Sequence, residues 1–247
     1  MSDIAGHLLT KDNMRCAINV TADARPVAVK HLENFLSNVH GSPSNQQQSV
    51  WTTDAEFQPT TKQTHHVLPI PVNFTSKVVP GAPYLSPDYA PLRILAGIMS
   101  AKFLHPEVRE KGGAYGGGAS ASGAGLFSFY SYRDPKSLET IATFDRAVDW
   151  ALKADFSDDA IKEAKLRVFQ RIDAPTPPSG KGMRLFLNRI SDEQFATHRK
   201  QLIGVTKDDL VRVCSQYLHK PAAYGVTIIG PPNSTLVRDS SWDVQFS

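Results

Sequence analysis

Cysteine is scarce in this chain: two residues, Cys16 and Cys214, among 247. Two thiols build neither a disulfide framework nor a cysteine zinc site, and reduced, buried thiols are the expectation. Eight histidines are present, but none falls in H-E-x-x-H or in the inverted H-x-x-E-H, the spacings that put two imidazoles on one helix face. His65 and His66 are adjacent, so on a strand they point to opposite faces and do not chelate together. No apolar run reaches 18 residues, which excludes a membrane-spanning helix. The 27 basic and 24 acidic residues are interspersed, with a net charge of +3; without a basic stripe, no nucleic-acid partner is expected. There is no G-x-S-x-G elbow, and neither cysteine lies in a catalytic-thiol motif, so nucleophilic catalysis has no support. The opening MSDIAGHLLTKDNMR has neither the basic and apolar regions of a secretory signal nor the arginines of a transit peptide.

What is present suits a globular domain. Hydrophobic residues make up 41% and charged residues 21%, enough for a real core. Residues 14–20 read as a strand and 25–39 as a helix with Val29, Leu32 and Leu36 on one face. From 40 to 64, Ser, Gln, Thr and Pro dominate without a period, which predicts a long flexible loop. Residues 65–79 read as a strand interrupted by Pro69 and Pro71. Ser86-Pro87 opens a helix carrying Leu92, Leu95, Ala96 and Met99. Leu126–Arg133 alternates with period two, Phe127, Phe129 and Ser131 on one face and Tyr130 and Tyr132 on the other.

Asp134-Pro135 predicts a helix start, Ser157 another, and Thr206-x-x-Asp209 a capping box. Residues 224–229 read as a last strand. The link Ser122-Gly-Ala-Gly125 predicts an antiparallel hairpin. Together these give an α+β fold: a mainly antiparallel sheet with helices packed on one face.

The densest chemistry lies between Val108 and Pro135. Gly116-x-Gly118-x-x-Ala121 matches a dinucleotide fingerprint by letters only, because a strand follows rather than a helix. Arg109 and Tyr115 flank the pair Gly112-Gly113. A guanidinium and a phenol held at a cleft donate hydrogen bonds to a carbonyl or a developing oxyanion, and a glycine-flanked strand edge can pair with an extended peptide. The alternative, which spacing alone favours, is a salt-bridged arginine and a packed tyrosine around a tight turn.

The run REKGGAYGGGA followed by FSFYSYRDP resembles the C-terminal domain of the presequence proteases, the mitochondrial and plastid peptidasomes of the pitrilysin (inverzincin) zinc metalloprotease family. LSPDYAPLRILAGIMSAKFLHPEVREKGGAYG and EAKLRVFQRIDAPTPPSGKGM look like the same domain, so the resemblance covers most of 65–230. It implies an α/β-roll fold for residues 1–247 as a single C-terminal domain, about the last quarter of such a protein. It implies zinc bound by residues outside this chain and none bound within it. It implies Tyr115 as hydrogen-bond donor to the scissile carbonyl, with Arg109 anchoring substrate backbone or orienting Tyr115, and Gly112 and Gly113 beside them as substrate-binding positions. The glycines then read as backbone clearance for a peptide rather than as a phosphate cradle, and the strand at Leu126–Arg133 as framework. The partners implied are the N-terminal catalytic half of the same protease and unstructured peptides, in the mitochondrial matrix. The isolated chain is expected to be inactive, and the surface left bare favours self-association. A catalytically dead structural subunit and a peptide-binding module are the alternatives.

Overall fold

The computed structural model describes residues 8–11, 14–39 and 60–246; most of the predicted loop lies outside the described residues. The chain forms two compact units, one of residues 1–57 and 175–192, the other of 58–174 and 193–247.

In the first unit, residues 14–20 form no strand. They are held by side chains instead: Asn19 Nδ2 donates to the carbonyls of Ser179 and Lys181 at 2.9 and 2.8 Å, and Arg15 donates to the Phe186 carbonyl. Helix α1 (Arg25–Ser37) carries proline near its start, where a missing N–H costs nothing.

The second unit is a six-stranded sheet. Its strands are β1 (Lys62–Val67), β2 (Asn73–Pro83), β3 (Gly116–Ser122), β4 (Ala124–Asp134), β5 (Gly225–Gly230) and β6 (Asp243–Phe246), in the spatial order β3-β4-β2-β5-β1-β6. The β3/β4, β4/β2 and β2/β5 pairs are antiparallel; β1 runs parallel to both β5 and β6. The segment predicted as one strand over 65–79 is two, parted at Leu68–Val72, where Pro69 and Pro71 supply no N–H to a ladder. Its first half starts at Lys62, inside the stretch assigned to the loop. Pro80 is tolerated in central β2 because β5 pairs with β2 only from Phe74 to Val78.

Helix α2 (Tyr89–Met99) continues into an i→i+5 wound segment, Ser100–Lys111. Then follow α3 (Leu138–Leu152), α4 (Asp158–Ile172), α5 (Met183–Asn188, in the first unit), α6 (Asp192–Gly204), α7 (Lys207–Val213) with one wide turn to Leu218, and α8 (Ser234–Arg238). Ser157 caps α4 through the Ala160 N–H, and the Thr206/Asp209 capping box is complete. The start predicted at Asp134 is instead the end of β4. There Asp134 is fully buried, accepting from the Lys136 N–H at 2.9 Å and the Thr140 hydroxyl at 2.8 Å, and the helix begins at Leu138.

Phe127 and Phe129 of β4, Val79 of β2, Leu92, Leu95 and Met99 of α2, Phe144 of α3 and Leu210 of α7 share one buried core. Phe129 and Phe144 stack at 5.5 Å. The other face of the sheet exposes Phe74, Leu126, Tyr130 and Tyr132. Among the described residues no helix is long and apolar enough to cross a membrane.

Candidate functional site

The wide-wound segment after α2 brings the chain to the edge of the sheet and stops abruptly. The Gly113 N–H bonds the Arg109 carbonyl at 3.0 Å and the Ala114 N–H the Val108 carbonyl at 3.1 Å. The first of these is the 5→1 bond of an αL helix ending, which needs a left-handed residue; Gly113 supplies it with φ 84°. A Cβ on Gly112 would stand 2.3 Å from the Val108 carbonyl oxygen. Both glycines therefore have a helix-ending role. Arg109 lies in the last turn of the helical segment, not after it. Six residues later Tyr115 enters the sheet, its N–H bonded to the Arg133 carbonyl at 3.2 Å.

The two predicted donors come together. Tyr115 is 61% exposed, and the Arg109 guanidinium carbon lies 6.0 Å from its ring centre. Two further residues, which sequence reasoning did not single out, complete the group: the Arg133 guanidinium at 5.6 Å and the Tyr132 ring at 5.7 Å. A fifth, His105, sits one helical turn before Arg109 with its Nε2 3.2 Å from Arg109 Nη1. Arginine only donates, so Nε2 accepts, and the ring proton belongs on Nδ1, which faces Glu110 Oε1 at 3.3 Å. Glu110 thus orients His105 and His105 orients Arg109. The i,i+4 spacing of His105 and Arg109 was the available signal; Arg133 could be found only from the hairpin register. Lys111 turns away to Glu107 at 2.5 Å, and that ion pair, with Arg146 second, holds the Glu107 carboxyl below its usual range.

The glycines of β3 are not clear of side chains. A Cβ on Gly116 would meet the Tyr132 hydroxyl at 2.4 Å, and one on Gly118 the Tyr130 hydroxyl at 3.1 Å. The clearance expected for a peptide is filled by tyrosines of the neighbouring strand, which lie across the glycine backbone, as aromatic side chains do over edge glycines. The outer edge of β3 is also closed at Ala119: its N–H donates to Ser100 Oγ at 2.8 Å.

Chemically the group offers donors. Two guanidiniums and a phenol can hold a carbonyl or stabilise an oxyanion. Among the described residues no set of three or more His, Cys, Asp or Glu side chains could hold a metal ion, and this group of donors does not fit zinc.

The fold is that of the pitrilysin-type peptidase domains. A Helicobacter pylori protease superimposes with a TM-score of 0.63 at 13% identity, over 86% of this chain and 53% of that one. Pitrilysin superimposes at 0.61 and 13% identity, over 93% of this chain and 26% of its own. Within that fold the sequence is more specific: residues 63–222 match the PreP C-terminal domain, and the chain belongs to that family. It is 43% identical to a Xenopus tropicalis protein named mitochondrial presequence protease, over 99% of this chain. It is 44% identical to the Mus musculus protein of that name, over 98%. The chain spans about a quarter (26%) of the length of each.

Proposed function

We propose that this chain, both units together, is the C-terminal, non-zinc-binding domain of a mitochondrial zinc metalloendopeptidase that degrades targeting presequences and other unstructured peptides. The observation that carries the reading is the cluster of Tyr115 with Arg109 at the exposed mouth of β3: a phenol donor backed by a guanidinium. Tyr115 donates to the scissile carbonyl as it becomes an oxyanion. Arg109, held by His105, anchors the substrate backbone. Gly112 and Gly113 act by fixing the turn that presents both. The zinc and general base belong to the N-terminal half of the same protease, which is the principal partner, and this domain forms part of the wall around the peptide. A structural subunit without catalysis has no use for such a cluster.

The test is complementation. This chain is mixed with a separately expressed N-terminal half, and cleavage of a quenched presequence-like peptide is followed. Tyr115→Phe should lower kcat by about 10²–10³, the scale set by loss of one oxyanion donor, and Arg109→Ala should raise KM as well. Variants that cleave as fast as the parent pair overturn the assignment.

A further inference from the structure

The strand pattern that identifies β4 should place Arg133 on the core side, since Phe127, Phe129 and Ser131 face inward at the preceding odd positions. It does not lie there. Between the pairs Thr75↔Ser131 and Asn73↔Asp134, β2 advances two residues while β4 advances three. One extra residue on β4 makes a β-bulge at Tyr132–Arg133. Arg133 has φ 48°, in the left-handed region that is strained for an ordinary side chain. Bulges next to functional sites re-aim side chains, and a strained residue persists where its surroundings over-determine it. Here the bulge does two things: it turns Asp134 inward to its buried partners and leaves Arg133 exposed. The hairpin register then places Arg133 across from Tyr115, with the backbone bond between them at 3.2 Å and the guanidinium 5.6 Å from the ring. Among the described residues neither Arg133 nor Arg109 has a carboxylate partner. Two cations held beside one phenol ring repel each other, and that repulsion is relieved when negative charge develops at an oxygen the phenol is bonded to.

We propose that Arg133 is a positioning residue for Tyr115, aimed by the bulge, that makes the phenol a stronger donor to a developing anion. This rests on the role of Tyr115 given above. The reconstituted protease tests it with Arg133→Gly, Tyr115→Phe and the double variant. Glycine suits the left-handed backbone, so the fold should be kept or strengthened, and Arg133→Asn, which also tolerates that conformation, serves as a second variant. Arg133→Gly and Arg133→Asn should each lower kcat about tenfold with KM little changed, the scale of a cation–π contact. In the Tyr115→Phe background the Arg133 change should have no further effect. Parental kcat in both Arg133 variants, alongside a slow Tyr115→Phe, overturns this inference and leaves the role of Tyr115 standing. A fall that persists undiminished in the Tyr115→Phe background also overturns it, because Arg133 is then not acting through the phenol. A parental rate for Tyr115→Phe itself defeats the role of Tyr115 and this inference with it.

Discussion

The hydroxyl of Ser100 closes the outer edge of the sheet at Ala119. Its oxygen accepts the Ala119 N–H at 2.8 Å, and its proton has two carbonyls in reach, Ala96 at 2.7 Å and Ala119 at 3.1 Å. One side chain at the join between α2 and the wide-wound segment therefore ties that helix to the strand that carries the glycines. An edge strand is otherwise a template for unwanted pairing.

Ser100→Ala should destabilise the second unit by about 1–3 kcal/mol, the cost of leaving a shielded backbone donor unpaired. Urea denaturation measures the loss, and hydrogen exchange should show the Ala119 amide losing protection ahead of its neighbours in β4.

Gly116→Ala places a methyl group where the Tyr132 hydroxyl lies, 2.4 Å away. The ring must move, and its 5.7 Å contact with Tyr115 moves with it. The expected result is a small change in urea midpoint with a clear fall in the rate of the reconstituted protease. Unchanged activity would show that Tyr132 has no part in holding Tyr115.

His198 is 2% exposed, its ring tilted against Tyr84 at 4.7 Å and against Tyr89 at 5.1 Å. Burial, then the charge of Arg93, pushes its imidazole down to about 4. The unfolded chain takes up the proton near 6.5, so between these values the unfolded state binds more protons. Stability present above pH 6.5 should be lost as pH falls toward 4, by on the order of 3 kcal/mol. His198→Phe keeps the aromatic contacts and should remove most of that slope in urea midpoints taken across the range.

Cys214 is fully buried, its thiol pushed up to about 12 by burial, with its sulfur 3.7 Å from the Val148 carbonyl; Cys16 is exposed. A thiol reagent at neutral pH should label Cys16 at once and Cys214 only on unfolding. Rapid labelling of both in the native protein would contradict the packing of α7 against α3.

Much of this was legible from residue order alone where the pattern is local. Phe127 and Phe129 alternate with Ser128 and Tyr130, which defines β4. Ser157 and the Thr206/Asp209 pair announce their helices through donors within three residues. The rest depends on partners distant in the chain. β6 has four residues and no period of its own, and it exists because β1 offers it an edge. Residues 14–20 have β-branched side chains, yet they form no ladder, and the side chains of Arg15 and Asn19 donate to carbonyls within 179–186 instead. At the site, Arg109, Tyr115 and the glycine pair stand within seven residues of each other and could be read. Arg133 could not, because its position follows from one surplus residue in β4 relative to β2, a difference visible only once the two strands are paired.

The sheet order also has a practical side. β3, which leads away from Tyr115, is one margin of the sheet and β6 the other; five interstrand steps put roughly 24 Å between them. A dye attached near Phe246 therefore sits across the full width of the sheet from the phenol. It can serve as a spectroscopic ruler for whatever closes over the Tyr115 margin without touching the chemistry it reports.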